Sequence, residues 1–163
     1  MSELTTLLET TAEDVDDMGS YNHSLVQANV TFLLKRIGQY SIFTELSLDV
    51  SQLDRQKFNV KDEIKPDVCL YPKRGLSRPF DIMKMSEMPL LVIEILSPRQ
   101  GSYEIVEKFA VYFGLGVKSC WLVDPTTAIV AVYSALDQYQ TYSAGEVIDQ
   151  VLNIRLPLAE IFE

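Results

Sequence analysis

Three side chains in the middle of this 163-residue chain have types and spacing suited to hydrolysis: Asp67, Glu94 and Lys108. Glu94 lies inside Leu90-Leu91-Val92-Ile93-Glu94-Ile95-Leu96. That run is apolar enough to be a central strand buried on both faces. An ionised carboxylate there is expensive unless something binds it. Asp67 sits in Lys65-Pro66-Asp67-Val68-Cys69-Leu70-Tyr71, also strand-like, and Pro66 suits the first position of a strand. If the two strands are neighbours, both acids can share one face. Their like charges then raise at least one pKa unless a cation lies between them. Oxygen ligands of this kind suit Mg2+ or Mn2+, and the backbone carbonyl of Ile95 offers a further oxygen beside Glu94.

Lys108 belongs to Tyr103-Glu104-Ile105-Val106-Glu107-Lys108-Phe109-Ala110-Val111-Tyr112-Phe113. Apolar residues at 105, 109, 112 and 113 mark the buried stripe of a helix, and Lys108 borders it. Its stem can run along a sheet and carry the ammonium to a strand end. There it can orient a water or stabilise charge on a phosphate. The alternative is an exposed helix residue paired with Glu104 one turn back. Glu45 falls in an alternating strand and reads as solvent-facing. His23, near a helix start, reads as a surface or boundary residue rather than a catalyst. Being the single histidine, it rules out a multi-histidine zinc site within one chain.

The elements that must position these groups follow from periodicity and breakers. Apolar positions at 25, 26, 30, 32, 33, 34 and 37 predict a helix over about 20–37, capped by Ser20 or Asn22 and ended by Gly38. Residues 41–50 alternate as a strand, and 51–64 form a loop or hairpin connection. Strand 65–71 follows, then a loop over 72–89 marked by Pro72, Gly75, Pro79 and Pro89. Strand 90–96 leads through a turn to a helix at about 103–115, with Ser102 as N-cap. Residues 119–125, 128–133 and 139–142 are further strands, and the tail to Glu163 packs weakly or docks as a short turn. Trp121 reads as core and Asp124-Pro125 as turn chemistry. The passage 90–124 is a parallel strand–helix–strand crossover. The whole is an α/β (α+β) layered domain, a mixed β-sheet flanked by helices, over residues 20–163 behind an acidic N-terminal segment, 1–19.

Charge bounds the partners. The net charge is −9, which argues against a protein that simply coats nucleic acid. Residues 1–17 hold six acids and no base, and the remainder carries 14 bases against 17 acids. Residues 54–78 hold seven bases against four acids, a local +3 beside Asp67 or simply a solvated face. Cys69 and Cys120 sit in apolar runs and form no CxxC pair, as reduced core thiols do. No apolar stretch reaches the ~18 residues of a membrane helix, and the acidic N-terminus lacks a signal pattern, so the expected compartment is cytoplasmic. No Ser-His-Asp, P-loop or dinucleotide pattern supports another enzyme class.

Pro66-Asp67, Glu94-Ile95-Leu96-Ser97-Pro98, Lys108 with Tyr112, Gly116-Val117 and Trp121-Leu122-Val123-Asp124-Pro125 occur in this order and spacing. The set resembles a bacterial restriction endonuclease-like family within the PD-(D/E)XK nuclease superfamily, over about residues 20–162. The resemblance implies a restriction endonuclease-like core with extra antiparallel strands, and Mg2+-dependent cutting of phosphodiester bonds in DNA. It makes Asp67 and Glu94 the metal ligands and Glu45 a third acid. The superfamily's lysine stands two residues after the acid, where this chain has Leu96, so the resemblance assigns that role to Lys108. The displaced lysine also suits a nuclease-fold module that binds nucleic acid or protein and cleaves little, and a small-molecule hydrolase could use the same acids. A homodimer is expected from the apolar, Tyr-containing edge at 128–142.

Overall fold

In the computed structural model of the chain, which describes residues 19–53 and 63–163, the first helix α1 spans Tyr21–Ile37. The Ser20 side chain accepts from the His23 backbone N–H, and Gly38, at φ 83°, closes the helix in the left-handed conformation that glycine adopts without strain. Val26, Val30, Leu33 and Leu34 form its buried face. The acidic segment up to residue 18, and Arg55, Lys57 and Lys61 of the basic run, lie outside the described residues.

Six strands form the main sheet: β1 (Tyr40–Thr44), β4 (Val68–Pro72), β5 (Leu91–Ile95), β6 (Ser119–Asp124), β7 (Ile129–Ala135) and β8 (Gln138–Tyr142), in the order β1-β4-β5-β6-β7-β8. Only β5 and β6 pair in parallel, and the connection between them is helix α2 (Ser102–Gly114). The expected mixed sheet and crossover are therefore present. β5 is buried along its whole length because both faces are covered. Leu91, Ile93 and Ile95 face the α1 layer with Val68, Leu70 and Trp121. Val92 faces α2, where Ile105, Phe109 and Tyr112 pack on Cys69, Tyr71 and Cys120. Burial pushes the Cys69 thiol up to about 12, and the Cys120 thiol rises as well, so both are inert core groups.

Three local expectations are corrected. The single strand expected over 41–50 is broken: β1 stops at Thr44, Glu45 adopts φ 53°, and the chain restarts as β2 (Leu48–Asp49), paired with β3 (Glu63–Ile64). A left-handed residue cannot continue a pleat, so alternation alone could not reveal the break. Gly101, not Ser102, caps α2, and no side chain bonds the helix start. The tail does not pack weakly. β9 (Glu146–Asp149) and β10 (Ile154–Pro157) form a hairpin followed by helix α3 (Leu158–Ile161). Val147, Ile154, Leu156, Leu158 and Ile161 are buried in the α1-side core. Among the described residues no helix is long and apolar enough to cross a membrane.

Candidate active site

Asp67 immediately precedes β4, where that strand begins to pair with β5. Its position is set by the ladder: Val68 lies opposite Ile93, so Asp67 reaches past the last backbone pair. The Asp67 Oδ2 accepts from the Ile95 backbone N–H at 2.7 Å, satisfying a donor that β4 no longer covers. A strand residue's N–H and C=O leave on the same edge, so the Ile95 carbonyl also faces the Asp67 side. Asp67 Oδ1 lies 3.1 Å from His23 Nε2, with both side chains 16% exposed. Gln27, one turn further along α1, donates to the Asp67 backbone carbonyl at 2.9 Å.

Glu94 is 2% exposed, on the face of β5 that looks toward α2. Tyr112 of α2 donates its hydroxyl to Glu94 Oε1 at 2.7 Å. Burial pushes the Glu94 carboxyl up to about 8, and the neighbouring Asp67 charge adds to the rise. The nearby Lys108 ammonium and the Tyr112 hydroxyl act in the opposite direction. His23 is raised above its usual 6.5, chiefly by its hydrogen bond to Asp67, with burial opposing and the charges of Asp67, Glu94 and Glu45 reinforcing. Tyr112 is raised well above its usual value by burial and by Glu94.

These side chains share one open cleft of about 580 Å³. Asp67, Glu94 and Lys108 all line it, together with His23, Glu45 and Lys65. Lys108 is half-buried, and no ion pair joins it to Glu104 among the described residues. Leu96, at the position where a strand-borne lysine would stand, lines a different groove of about 560 Å³ with Tyr103 and Val106. The reason is visible in the ladder: the Leu96 N–H bonds to Val123 of β6, and β5 has already ended.

Among the described residues, no three His, Cys, Asp or Glu side chains are grouped so as to hold a metal ion. Glu45 lines the same cleft as Asp67 and Glu94. Its left-handed backbone turns the chain out of β1 just before the acids. The oxygens that remain are two adjoining carboxylates and the Ile95 carbonyl. They are hard donors around a buried acid whose charge lacks full compensation, a set that fits Mg2+ or Mn2+. Of the basic run, Lys65 reaches the cleft but lies 3.7 Å from Glu63. Arg74 pairs with Glu87 and stacks on Tyr71.

Sequence periodicity missed the contacts of His23, Gln27 and Tyr112. Spacing alone makes His23 a helix-surface or boundary residue and Tyr112 a member of the buried stripe of α2. Each makes its contact across at least 18 residues of chain, and nothing local to the sequence signals it.

A family model described as "Uma2: Putative restriction endonuclease" matches residues 7–159. The chain is also similar to the crystal structure of "a putative nuclease belonging to DUF820" from Anabaena variabilis, with TM-score 0.66 and 20% identity over 89% of this chain and 82% of that one. At that identity the likeness speaks to the fold. Comparison with curated proteins gave no match.

Proposed function

The chain belongs to the Uma2 family of restriction endonuclease-like proteins, and from that premise we propose that it is a Mg2+- or Mn2+-dependent endonuclease acting on DNA. The observation that supports this reading is the convergence of Asp67, Glu94 and Lys108 on one cleft from three separate elements. Asp67, Glu94 and the Ile95 carbonyl would hold the divalent ion. A bound ion supplies Lewis-acid polarisation of a phosphate oxygen and makes water easier to deprotonate.

The chain's own groups do the rest. Glu94 must give up its proton to act as a ligand, and Tyr112 stays bonded to the oxygen it already holds. Asp67 keeps one oxygen on the Ile95 N–H, which fixes the strand end from which the Ile95 carbonyl emerges. Lys108, from α2, faces Glu94 and offers a positive charge to a phosphate or an N–H to an attacking water. Leu96 has no charge to offer, and its side chain lines the other groove. The exposed edge strand β8 is where a homodimer would extend the sheet.

The test is incubation of plasmid and linear DNA with the protein in chelator, Mg2+ or Mn2+. Cleavage is expected with metal only, and Asp67→Asn or Lys108→Ala should each lower the rate ~100-fold or more. No cleavage, or cleavage that survives in both variants, contradicts the proposal.

A second reading is a nuclease-fold module that binds nucleic acid or protein and cleaves little. Leu96 in place of the strand lysine and the net charge of −9 favour it. It predicts DNA binding that ignores both divalent ions and Glu94→Gln.

A further inference from the structure

We propose that α1 is a clamp on Asp67, with His23 and Gln27 as positioning residues that fix its carboxylate for the divalent ion; this rests on the nuclease reading above. The two residues are four apart, so they stand one above the other on one helix face. Both end on the same aspartate. His23 Nε2 lies 3.1 Å from Asp67 Oδ1, and Gln27 Nε2 donates to the Asp67 carbonyl at 2.9 Å. From the sheet side, the Ile95 N–H binds Oδ2 at 2.7 Å. Backbone and side chain of Asp67 are therefore held from α1, and the second carboxylate oxygen is held from β5.

The clamp is itself anchored. The Ser20 hydroxyl accepts from the His23 N–H at 3.2 Å, fixing the first turn. Two residues after Gln27, Asn29 donates to the carbonyls of Ile161 and Glu163, at 3.1 and 3.0 Å, tying α1 to the C-terminal helix. Val26 and Val30, on either side of these polar residues, are buried in the core. α1 is thus fixed at its start, along its buried face and to α3, while His23 and Gln27 reach into the cleft.

A purely structural ion pair would leave the same distances, so the two roles must be separated by their consequences. The His23–Asp67 pair is partly exposed at the cleft wall, and pairs in such places contribute little to stability. What the contact does govern is the rotation of Asp67. A carboxylate at a strand end has two free side-chain torsions, and residues that hydrogen-bond a metal ligand remove such freedom and set its direction.

The experiment combines calorimetric titration of Mn2+ with the Ile95 amide proton resonance, in wild-type protein, His23→Ala, His23→Gln and Gln27→Met. Mn2+ affinity should fall about 10–100-fold in His23→Ala. His23→Gln, which keeps a donor near the Nε2 position, should recover part of it. The Ile95 amide, read without metal, should move upfield in His23→Ala and Gln27→Met as its bond to Asp67 loosens. KM for DNA should stay near wild type while kcat falls. Ile95 resonance and Mn2+ affinity unchanged in both variants overturn the clamp. Wild-type protein that takes up no Mn2+ overturns the nuclease reading instead, and the Ile95 resonance then still decides whether α1 holds Asp67.

Discussion

At the scale of single residues, the site is organised by how a buried acid is compensated. Glu94 has one hydrogen bond from Tyr112, one nearby ammonium and one like-charged neighbour. With its carboxyl raised from 4.5 to about 8, the metal-free native state binds more protons than the unfolded chain across that interval. The associated stability is therefore fully present below 4.5 and is lost as pH rises through about 8. His23, raised above 6.5, contributes in the same direction. Metal-free protein should lose denaturant resistance as pH rises from about 4.5 to about 8, and added Mn2+ should restore it at the alkaline end. Glu94→Gln, which keeps an acceptor for Tyr112, should flatten most of that slope and abolish the Mn2+ effect. An unaltered slope in Glu94→Gln would show that another group dominates. Asp67, Glu94 and Lys108 were legible in the sequence because each looked out of place or well placed within its own segment. The partners His23, Gln27 and Tyr112 were not legible, since each earns its meaning only from a contact made through the tertiary fold.

At the scale of elements, β5 and α2 explain why the lysine sits where it does. β5 ends at Ile95, Leu96 turns toward β6, and its side chain enters the apolar groove beside Tyr103 and Val106. A lysine at 96 would start from that groove rather than from the cleft that holds Asp67 and Glu94. Leu96→Lys placed in a Lys108→Ala background should accordingly fail to restore cleavage, and restoration to near wild-type rate would mean that position 96 reaches the cleft after all. Helix α1 and the β5–α2–β6 crossover were readable from apolar spacing, caps and glycines. The break at Glu45 was not, because a left-handed residue leaves no trace in an alternating pattern. Nor was the β9–β10 hairpin. Its short strands bury only alternate residues, and its acid, Asp149, is fully buried against Ser119, Trp121 and the Leu152 N–H. Those three donors make a carboxylate tolerable inside the core, which no local rule would anticipate.

At the scale of the whole molecule, an acidic protein that handles a polyanion must rely on a few local cations. The net charge is −9, and the cations lining the cleft among the described residues are Lys65, Lys108 and His23. So few phosphate contacts imply a shallow salt dependence. The logarithm of DNA affinity, measured in Ca2+ to block cleavage, should fall with a slope of about −2 to −3 against the logarithm of salt. A much steeper slope would place the main contacts on a basic surface elsewhere. The sheet order, the family match and the structural likeness agree on a nuclease fold, and the central chemical claim is that Asp67 and Glu94 share one cation. The most direct test is anomalous scattering from crystals soaked in Mn2+. A single strong peak is expected, in contact with Asp67, Glu94 and the Ile95 carbonyl, with the Lys108 side chain on the same side of the cleft. No peak there, or a peak that touches neither carboxylate, would contradict the metal-dependent site.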